Sequence, residues 1–353
     1  MNDTIKPINK RQVSILNIVE LNWPINRKQI QGWLNNIELT SKPTLLRDIK
    51  YLINTKMIVS SGSGPATTYS PTNNNPLVKY FDIEKYFTVD PDKRVDTKKT
   101  FNFSVFNSIK NIFNKNEELT LKVNSKDFKK ETKKLDPSIL KKEFERFTIE
   151  LAWKSSKIEG NTYSLLETES LIKEFREAKD KTREEKQMIL NHKTAFETIL
   201  ANPSMFKKVT VSEINQLHNM LTKNLNIDPG IRKNAVGITG TVYKPLDNQF
   251  QIQEAMEKMV NSINDNPNKY EKAFIASSMI AYIQPYNDGN KRTSRMLTNA
   301  ILLSHNLYPL SYRTIDENEY KKAVILFYEQ NSLYHLKRIF IDQFIFATKN
   351  YFN

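Results

Sequence analysis

Two apolar helical segments joined by a short polar loop constrain the fold of this 353-residue chain more than any other feature of its sequence. Residues 271–283, EKAFIASSMIAYI, form a strongly apolar helical pattern whose small residues suit the centre of a helix bundle. Residues 292–303, RTSRMLTNAILL, form another apolar helix, and the sequence QPYNDGNKR joins the two. Because the chain reads as mostly helical from about residue 138 onward, we predict an all-α core that contains this helix–loop–helix unit.

A long helix is predicted before this unit, within the sequence PSILKKEFERFTIELAWKSSKIEGNT. The residues along one stripe of that helix are Phe144, Phe147, Leu151, Ser155 and Ile158. The lysine-rich stretch 126–142 is interpreted as a solvated helix face, and residues 77–135 are basic and mixed. We interpret His192, His218 and Trp153 as packing residues, because each lies in an apolar helical pattern.

Composition narrows the class of protein. The length favours two domains, and 39% hydrophobic with 26% charged residues is typical of a globular chain. No uncharged apolar run reaches about 18 residues, so a membrane partner is not expected, and the start MNDTIKPINK lacks the pattern of a secretory signal. The absence of cysteine excludes disulfides, thiolate metal sites and cysteine nucleophiles, and suits a cytoplasmic location. The four histidines are scattered, which argues against a histidine-rich metal site.

The chain is strongly basic. It has 53 Lys and Arg against 39 Asp and Glu, a net charge of +14, and its isoelectric point is near 9.5. Such an excess favours anionic partners, namely nucleic acid, nucleotide phosphates or acidic protein surfaces. A compositional bias toward Lys and Asn would produce the same excess, so charge alone does not choose among these partners.

Residues 1–75 have the pattern of a small separate unit. Apolar positions within 11–21 indicate a helix, Asn26 can cap a second short helix, and Thr40 or Ser41 can cap a third. The sequence MIVSSGSGPATTYS then indicates two short strands around a Ser/Gly turn. Three helices followed by a hairpin resemble a winged helix-turn-helix in order and length, without a diagnostic motif.

The third helix of this unit has a face suited to DNA. Its apolar face consists of Leu45, Leu46, Ile49, Leu52 and Ile53. Its opposite face carries Lys42, Thr44, Arg47 and Lys50. These groups can reach phosphates and base edges, and the whole unit has a net charge of +5, from nine basic and four acidic residues. A dimerisation or protein-docking module on the same scaffold is the alternative.

The loop within QPYNDGNKRTSR has features of an anion site. The unsatisfied N–H groups at the start of the second helix favour an anion, and Gly289 permits a tight turn. Arg292 and Arg295 are spaced to grip phosphate oxygens from one helix face, and Asp288 can hold a Mg²⁺ that bridges phosphates. Tyr286 is predicted to anchor the loop in the core. An ordinary helix–helix loop with capping groups remains the alternative at this point.

The same loop resembles the signature of the Fic (Fido) family, usually H-P-F-x-D/E-G-N-G-R-x-x-R between two buried helices of an all-α core. The matching residues are Pro285, Tyr286 in place of Phe, Asp288, Gly289, Asn290, Arg292 and Arg295. The resemblance implies a Fic core with a small β-hairpin flap, beside the N-terminal winged helix.

Two further elements resemble the family in the same order along the chain. An inhibitory helix of the form S/T-x-x-x-E-G/N is matched by Ser155, Glu159 and Gly160, before the signature loop. Residues 228–246, DPGIRKNAVGITGTVYKPL, resemble the stretch that leads into the flap over the active site. The candidate flap residues are Gly237, Ile238, Thr239, Gly240, Thr241 and Val242.

The resemblance implies a reaction, because family members mostly transfer AMP from Mg-ATP to a protein hydroxyl, with the signature His as base. The implied nucleotide-binding residues are Asp288, which would also hold Mg²⁺, Gly289, Asn290, Lys291, Arg292 and Arg295. Glu159 would pair with Arg295 and exclude the γ-phosphate, with Ser155 supporting the inhibitory helix. The flap would bind an extended target segment by strand addition.

Two residues depart from the signature. Gln284 takes the position of the catalytic His, and its amide has no useful basicity near pH 7, although its carbonyl oxygen can orient a hydroxyl. Lys291 replaces the second signature Gly, as in the Doc branch of the superfamily, which keeps the His and transfers a phosphoryl group. Lys291 would add a phosphate contact, block the AMP-transfer pose, or both.

Two functions therefore stay open for the sequence. The first is an auto-inhibited, degenerate adenylyl or phosphoryl transferase that uses ATP, or another nucleotide, with Mg²⁺ on an unknown protein target. The second is an inactive Fic pseudoenzyme that acts as a nucleotide-sensing transcriptional regulator. The predicted domains are residues 1–75, a linker and flanking region at 76–137, and a Fic domain at 138–353. The sequence leaves the oligomeric state, a homodimer included, undecided.

Overall fold

The structure, a computed structural model, describes residues 9–55, 57–72, 75–125 and 127–352. Its helices are α1 (Lys10–Asn22), α2 (Arg27–Asn35), α3 (Lys42–Asn54), α4 (Ile83–Tyr86), α5 (Val105–Ser108), α6 (Lys115–Asn124), α7 (Phe128–Thr132), α8 (Pro137–Ile158), α9 (Leu165–Glu174), α10 (Arg183–Ala201), α11 (Val211–Thr222), α12 (Gln249–Asp265), α13 (Lys269–Ile283), α14 (Asn290–Ser304), α15 (Glu317–Gln330) and α16 (Tyr334–Asn350). The strands within these ranges are β1 (Ile25–Asn26), β2 (Ile58–Ser61) and β3 (Thr68–Pro71). The prediction of a mainly helical protein is confirmed.

The N-terminal unit has the predicted three helices followed by two strands, and an additional two-residue strand, β1, lies between α1 and α2. The capping residues are Asn26 for α2, through a reciprocal capping box with Gln29, and Ser41 for α3. The strands form one antiparallel sheet in the order β1–β3–β2. The unit has a hydrophobic core of its own, built from residues between Ile15 and Tyr69. Residues 1–8 and 73–74, which the predicted domain and linker include, lie outside the described residues.

The apolar face predicted for α3 is only partly buried. Leu45, Ile49 and Leu52 pack into the N-terminal core, whereas the side chain of Leu46 is 40% exposed. Asp48 takes an unexpected buried position, where its carboxylate accepts from the Arg11 guanidinium at 2.6 Å. Asp48 therefore shares the buried face of α3 with Leu45, Ile49 and Leu52, and Leu46 lies at the surface.

The large hydrophobic core surrounds α13 and α14, as the two apolar segments predicted. Helix α13 is buried along nearly its whole length, since it contacts α12, α14, α15 and α16. The stripe predicted on α8 is buried from Phe147 to Ile158, and Phe144 at its outer end is half-buried. No helix in the described ranges combines the length and the apolar character needed to cross a membrane.

The flap differs from its sequence prediction. Residues 237–242 form a loop with a turn at Thr239–Gly240, and no strand of the described residues includes them. Lys244 makes a single isolated bridge to Thr100, which lies far away in the chain. After the turn, the Thr241 hydroxyl donates to Glu329 Oε1 and the Lys244 N–H donates to Lys99 O, so this stretch pairs with distant segments.

Candidate functional site

The loop between α13 and α14 is shaped by two residues with left-handed backbone. Gln284 ends α13 at φ 52°, and Gly289 precedes α14 at φ 82°. A Cβ atom at Gly289 would lie 2.9 Å from Cγ2 of Thr222, so this position requires glycine. No side chain of the described residues caps α14, so its first N–H groups are available to an anion.

Tyr286 and Asn290 fasten this loop to the core. The Tyr286 ring is fully buried, as predicted, and its hydroxyl donates to Asn215 Oδ1 at 2.8 Å. Asn290 Oδ1 accepts from the Tyr286 N–H at 2.9 Å, and its Nδ2 donates to Tyr286 O at 2.8 Å and to Gln284 Oε1 at 2.9 Å. Asn290 therefore stabilises the loop from within rather than projecting into solvent.

His218 has a role in this loop that sequence reasoning missed. Its ring stacks on Tyr286 with centroids 3.7 Å apart, and its Nε2 donates to the Asp288 carbonyl oxygen at 2.9 Å. Burial lowers the pKa of His218, which favours the neutral ring. The sequence placed His218 in an apolar helix, and nothing there signalled a contact 70 residues away.

Asp288 and Arg292 form an ion pair at the start of α14. Asp288 Oδ2 accepts from Arg292 Nη2 at 2.9 Å, and Asp288 Oδ1 accepts from the Gly289 N–H at 2.6 Å. The Asp288 side chain is 66% exposed, whereas that of Arg292 is 2% exposed. Arg292 therefore lies behind the loop and orients Asp288, which faces the solvent side.

Arg295 is buried and held by Glu159. Its Nη2 donates to Glu159 Oε1 at 2.8 Å, while Lys291 Nζ lies 3.4 Å from Glu159 Oε2. Burial alone would raise the pKa of Glu159, but the charges of Arg295 and Lys291 outweigh it and lower that pKa to about 2. Within the described residues, Arg295 Nη1 has no hydrogen-bond partner, so this guanidinium retains one donor group.

A chain of hydrogen bonds through Ser155 and His192 holds the Arg295 guanidinium in place. Arg295 Nε donates to Ser155 Oγ at 2.9 Å, and His192 Nε2 lies 2.8 Å from the same oxygen. Because His192 Nδ1 donates to Met188 O at 2.8 Å, its Nε2 accepts from the Ser155 hydroxyl. Burial lowers the pKa of His192 to about 3, which keeps it neutral. His192, interpreted from sequence as packing, thus orients Ser155.

Both the side chain and the backbone carbonyl of Gln284 form hydrogen bonds. Its Nε2 donates to Ala281 O at 2.7 Å and to the Tyr328 hydroxyl at 3.2 Å, and its Oε1 accepts from Asn290 Nδ2. Its backbone carbonyl accepts from Arg232 Nε at 2.7 Å. The side chain that replaces the expected base therefore joins α13, α14 and α15.

These groups surround a pocket of about 390 Å³. The predicted site residues that line it are Glu159, Gly237, Ile238, Thr239, Gln284, Asp288, Asn290 and Lys291. Helix α15 supplies a wall that sequence reasoning missed, namely Tyr320, Lys321, Val324, Ile325 and Tyr328. The predicted residues that lie outside the lining are Ser155, Gly160, Gly240, Thr241, Val242, Gly289, Arg292 and Arg295. A helical pattern gave no sign that α15 faces the loop, because that contact depends on tertiary packing.

The predicted DNA-binding residues lie elsewhere, on α3. Lys42, Arg47 and Lys50 are exposed, whereas Thr44 is half-buried and its hydroxyl bonds with that of Ser41 at 2.9 Å. Thr44 therefore belongs to the helix cap, and the other three side chains form the basic face.

Part of this site lies in a segment that matches a known family. The family model of the Fic/DOC family matches residues 208–302, which include α11 to α13, the loop and α14 as far as Leu302. The chain contains a Fic/DOC domain. Outside the matched segment of this Fic/DOC domain lie α8, whose C-cap residue is Glu159, and α15.

The Fic/DOC domain resembles curated relatives over part of their length. The protein adenylyltransferase Fic of Drosophila yakuba is 29% identical over 170 residues, which cover 46% of this chain and 34% of that protein. The protein of the same name from Drosophila ananassae is 30% identical over 151 residues, 41% of this chain and 30% of that protein. The chain thus spans about a third of the length of these relatives.

Solved structures share the fold. Fic-1 from C. elegans superposes with a TM-score of 0.55 at 18% identity, over 67% of this chain and 71% of that one. A Fic domain-containing signaling protein from Bacteroides thetaiotaomicron superposes with a TM-score of 0.54 at 18% identity, over 66% of this chain and 94% of that one. At this level of identity, the likeness supports the fold of the Fic/DOC domain alone.

Proposed function

We propose that this protein binds a nucleoside triphosphate with Mg²⁺ and is a degenerate, auto-inhibited protein adenylyltransferase. The observation that carries this proposal is the pairing of Glu159 with buried Arg295 beside the uncapped start of α14. Glu159 and the first residues of α14 line one pocket, with the cation of Arg295 behind Glu159, and this arrangement suits a polyphosphate. The relatives named protein adenylyltransferase support AMP as the transferred group.

Auto-inhibition is the first part of the proposal. Glu159 is 18% exposed and has two cationic partners, Arg295 and Lys291. A phosphate that approached Arg295 would have to displace the carboxylate, because both are anions that need the same donors. Glu159 and a phosphate would also compete for Lys291, because Lys291 lines the pocket and pairs with Glu159. Ser155, fixed by His192, holds Arg295 in place for either partner.

Magnesium fits the site as part of a nucleotide complex. Asp288 is an exposed carboxylate on the pocket, and Mg²⁺ commonly binds to one or two carboxylates together with substrate phosphates. The described residues contain no group of three or more His, Cys, Asp or Glu that could hold a metal ion. Mg²⁺ held by Asp288 would neutralise charge on the phosphates.

The missing base limits the chemistry. Gln284 cannot take a proton from a target hydroxyl near neutral pH, and its Oε1 already accepts a hydrogen bond from Asn290. A positioned base contributes about 10²- to 10⁴-fold to such a step. Transfer of AMP or a phosphoryl group would therefore be slow. The alternative function, a nucleotide-sensing pseudoenzyme, is favoured by this use of Gln284 as a structural link.

The flap and the N-terminal unit define the proposed partners. Gly237, Ile238 and Thr239 line the pocket, where an extended segment of a target protein would add as a strand. The unit of α1–α3 and the β1–β3–β2 sheet is proposed to be a winged helix that binds DNA through Arg47 and Lys50 on α3. Nucleotide occupancy of the Fic site would then be sensed on a protein that is bound to DNA.

One experiment separates the candidate functions. The protein is incubated with Mg²⁺ and either α-labelled or γ-labelled ATP, and both self-labelling and nucleotide affinity are measured. Label from α-labelled ATP would support AMP transfer, and label from γ-labelled ATP alone would support phosphoryl transfer. Binding without label would support the pseudoenzyme. Failure to bind ATP, CTP, GTP and UTP in the wild-type protein and in Glu159→Gly would refute the proposal.

A further inference from the structure

Residues 86–100, here called the strap, connect the flap to α15. The strap precedes the matched Fic segment by more than a hundred residues in the chain. Arg94 Nη1 donates to the carbonyl oxygen of Gly240, the turn residue of the flap, at 3.2 Å. Further along, the Lys244 N–H donates to Lys99 O at 2.8 Å, beside the bridge between Thr100 and Lys244. The strap therefore holds the flap at two places.

A buried carboxylate on α15 gathers these contacts. Glu329 is fully buried, and both its oxygens lie 3.1 Å from Arg94 Nη1, whose side chain is 6% exposed. Thr241 of the flap donates to Glu329 Oε1 at 2.6 Å, and Tyr86 of the strap donates to Oε2 at 2.7 Å. A buried charge is stable only when paired and hydrogen-bonded, so this arrangement favours a single position of the flap.

Aromatic packing fixes the Arg94 guanidinium in this position. It lies 4.6 Å from the ring centroid of Phe87 and 5.4 Å from that of Tyr86, distances typical of cation–π contacts. Its Nε also donates to Val89 O at 3.1 Å, within the strap itself. The strap thus carries a preorganised cation whose partners belong to α15 and the flap.

The part of the flap over the pocket lacks such support. Within the described residues, no backbone hydrogen bond joins residues 236–239 to the rest of the protein, although they line the pocket. Their position depends on the next residues, Gly240 and Thr241, which Arg94 and Glu329 hold. A target segment can add as a strand only to backbone groups that are free and held in a defined position.

We infer that Arg94 is a positioning residue of the candidate active site, and that the strap sets the flap in place over the pocket through Glu329. This inference rests on the proposed function, in which the flap receives a target segment. It assigns part of target recognition to residues outside the matched Fic segment. The Fic segment alone would then keep its phosphate-binding residues, but its flap would no longer have a defined position.

Hydrogen exchange of the 353-residue protein tests this role. The amide of Lys244 reports the flap, because its acceptor, Lys99 O, is unchanged in the variants Arg94→Ala and Thr241→Val. Removal of a hydrogen bond to a charged group corresponds to about a tenfold or larger change in a local equilibrium. We expect exchange at Lys244 to accelerate by about tenfold or more in Arg94→Ala, and less in Arg94→Lys, which keeps the charge.

Arg146→Ala is the matched control. Arg146 also pairs with a glutamate, Glu143, at 2.8 Å and lies 4.7 Å from the ring centroid of Tyr351, but it contacts neither strap nor flap. Its substitution should leave exchange at Lys244 unchanged. Thr241→Val decides the question if Arg94→Ala does not fold, because it removes the hydroxyl that bonds to Glu329 and to the Tyr243 N–H, and leaves the ion pair between Arg94 and Glu329 intact.

Two results would overturn the inference. One is a wild-type exchange rate at Lys244 in Arg94→Ala, or in Thr241→Val if Arg94→Ala does not fold. The other is an equal acceleration at Lys244 and at the amides of α14, which would indicate general loosening of the fold. Mg-ATP binding is measured on the same samples, so that failure of the wild-type protein to bind nucleotide would count against the proposed function and leave the exchange result unaffected.

Discussion

Replacement of Glu159 by glutamine gives the sharpest test of auto-inhibition, because it keeps the shape of the side chain and removes its charge. Glu159 has a pKa of about 2, against an ordinary value of 4.5, because Arg295 and Lys291 outweigh the effect of burial. This difference corresponds to about 3 kcal/mol of interaction with the charged form. A phosphate group that takes over Arg295 must first overcome an interaction of this size.

Glu159→Gln is therefore expected to increase the affinity for Mg-ATP by about tenfold to a hundredfold, measured by isothermal titration calorimetry at pH 7. The same change should lower the stability of the free protein, because Arg295 is left as a buried cation without its carboxylate. Compared with the wild type, Glu159→Gln should be less stable without nucleotide and should gain more stability when Mg-ATP binds.

The pH dependence of stability has a definite sign. Because the folded-state pKa of Glu159 is lowered, its contribution to the free energy of unfolding is fully present above about pH 4.5 and is lost as the pH falls toward 2. Wild type and Glu159→Gln should therefore differ in stability at pH 6 and converge near pH 2. Glu197→Gln, which removes an exposed partner of Lys193, is the control and should change neither property. Equal Mg-ATP affinities of wild type and Glu159→Gln would refute auto-inhibition by this residue.

Three further predictions concern Gln284, Ser155 and Arg47. Gln284→His in a Glu159→Gly background should raise self-labelling from α-labelled ATP by about two to four decades, and unchanged labelling would show that the missing base is not the main defect. Ser155→Ala should lower the free energy of unfolding by about 1 to 3 kcal/mol in urea titrations, since Arg295 Nε loses its buried acceptor; a wild-type value would contradict the hydrogen-bond chain. Arg47→Ala should weaken binding to genomic DNA fragments and reduce its salt dependence in gel shifts, and a wild-type protein that retains no DNA at low salt would exclude this role.

Local sequence patterns predicted the helices more completely than the site. Helix caps depend on neighbouring residues, so sequence alone could predict the cap at Asn26 and narrow that of α3 to Thr40 or Ser41, of which the structure uses Ser41. The burial of Tyr286 could be predicted for a similar reason, as a large ring between two apolar helices. The predicted burial of Leu46 was wrong because Asp48, rather than Leu46, shares the buried face with Leu45 and Ile49. The burial of Asp48 had no local signal, since its partner Arg11 lies on another helix.

The supporting residues of the site were missed because their contacts cross long stretches of chain. His192 orients Ser155 from 37 residues away, and His218 holds the Asp288 carbonyl from 70 residues away. Each lies in an amphipathic helix whose pattern predicts burial and says nothing about the partner. The flap was predicted as a hairpin, yet its polar groups bind the strap, which a local pattern cannot show.

The contacts of Gln284 bear on the choice between enzyme and pseudoenzyme. Its amide makes two donations, to Ala281 O and the Tyr328 hydroxyl, and accepts from Asn290. A neutral imidazole has one donor and one acceptor, so histidine at this position cannot reproduce all three bonds. Restoration of the base would then loosen the link between α13 and α15, and we expect the gain in labelling to lie at the lower end of its range. The contacts of Gln284 thus support the pseudoenzyme alternative at this position, and the size of the labelling gain in Gln284→His measures how far they limit transfer.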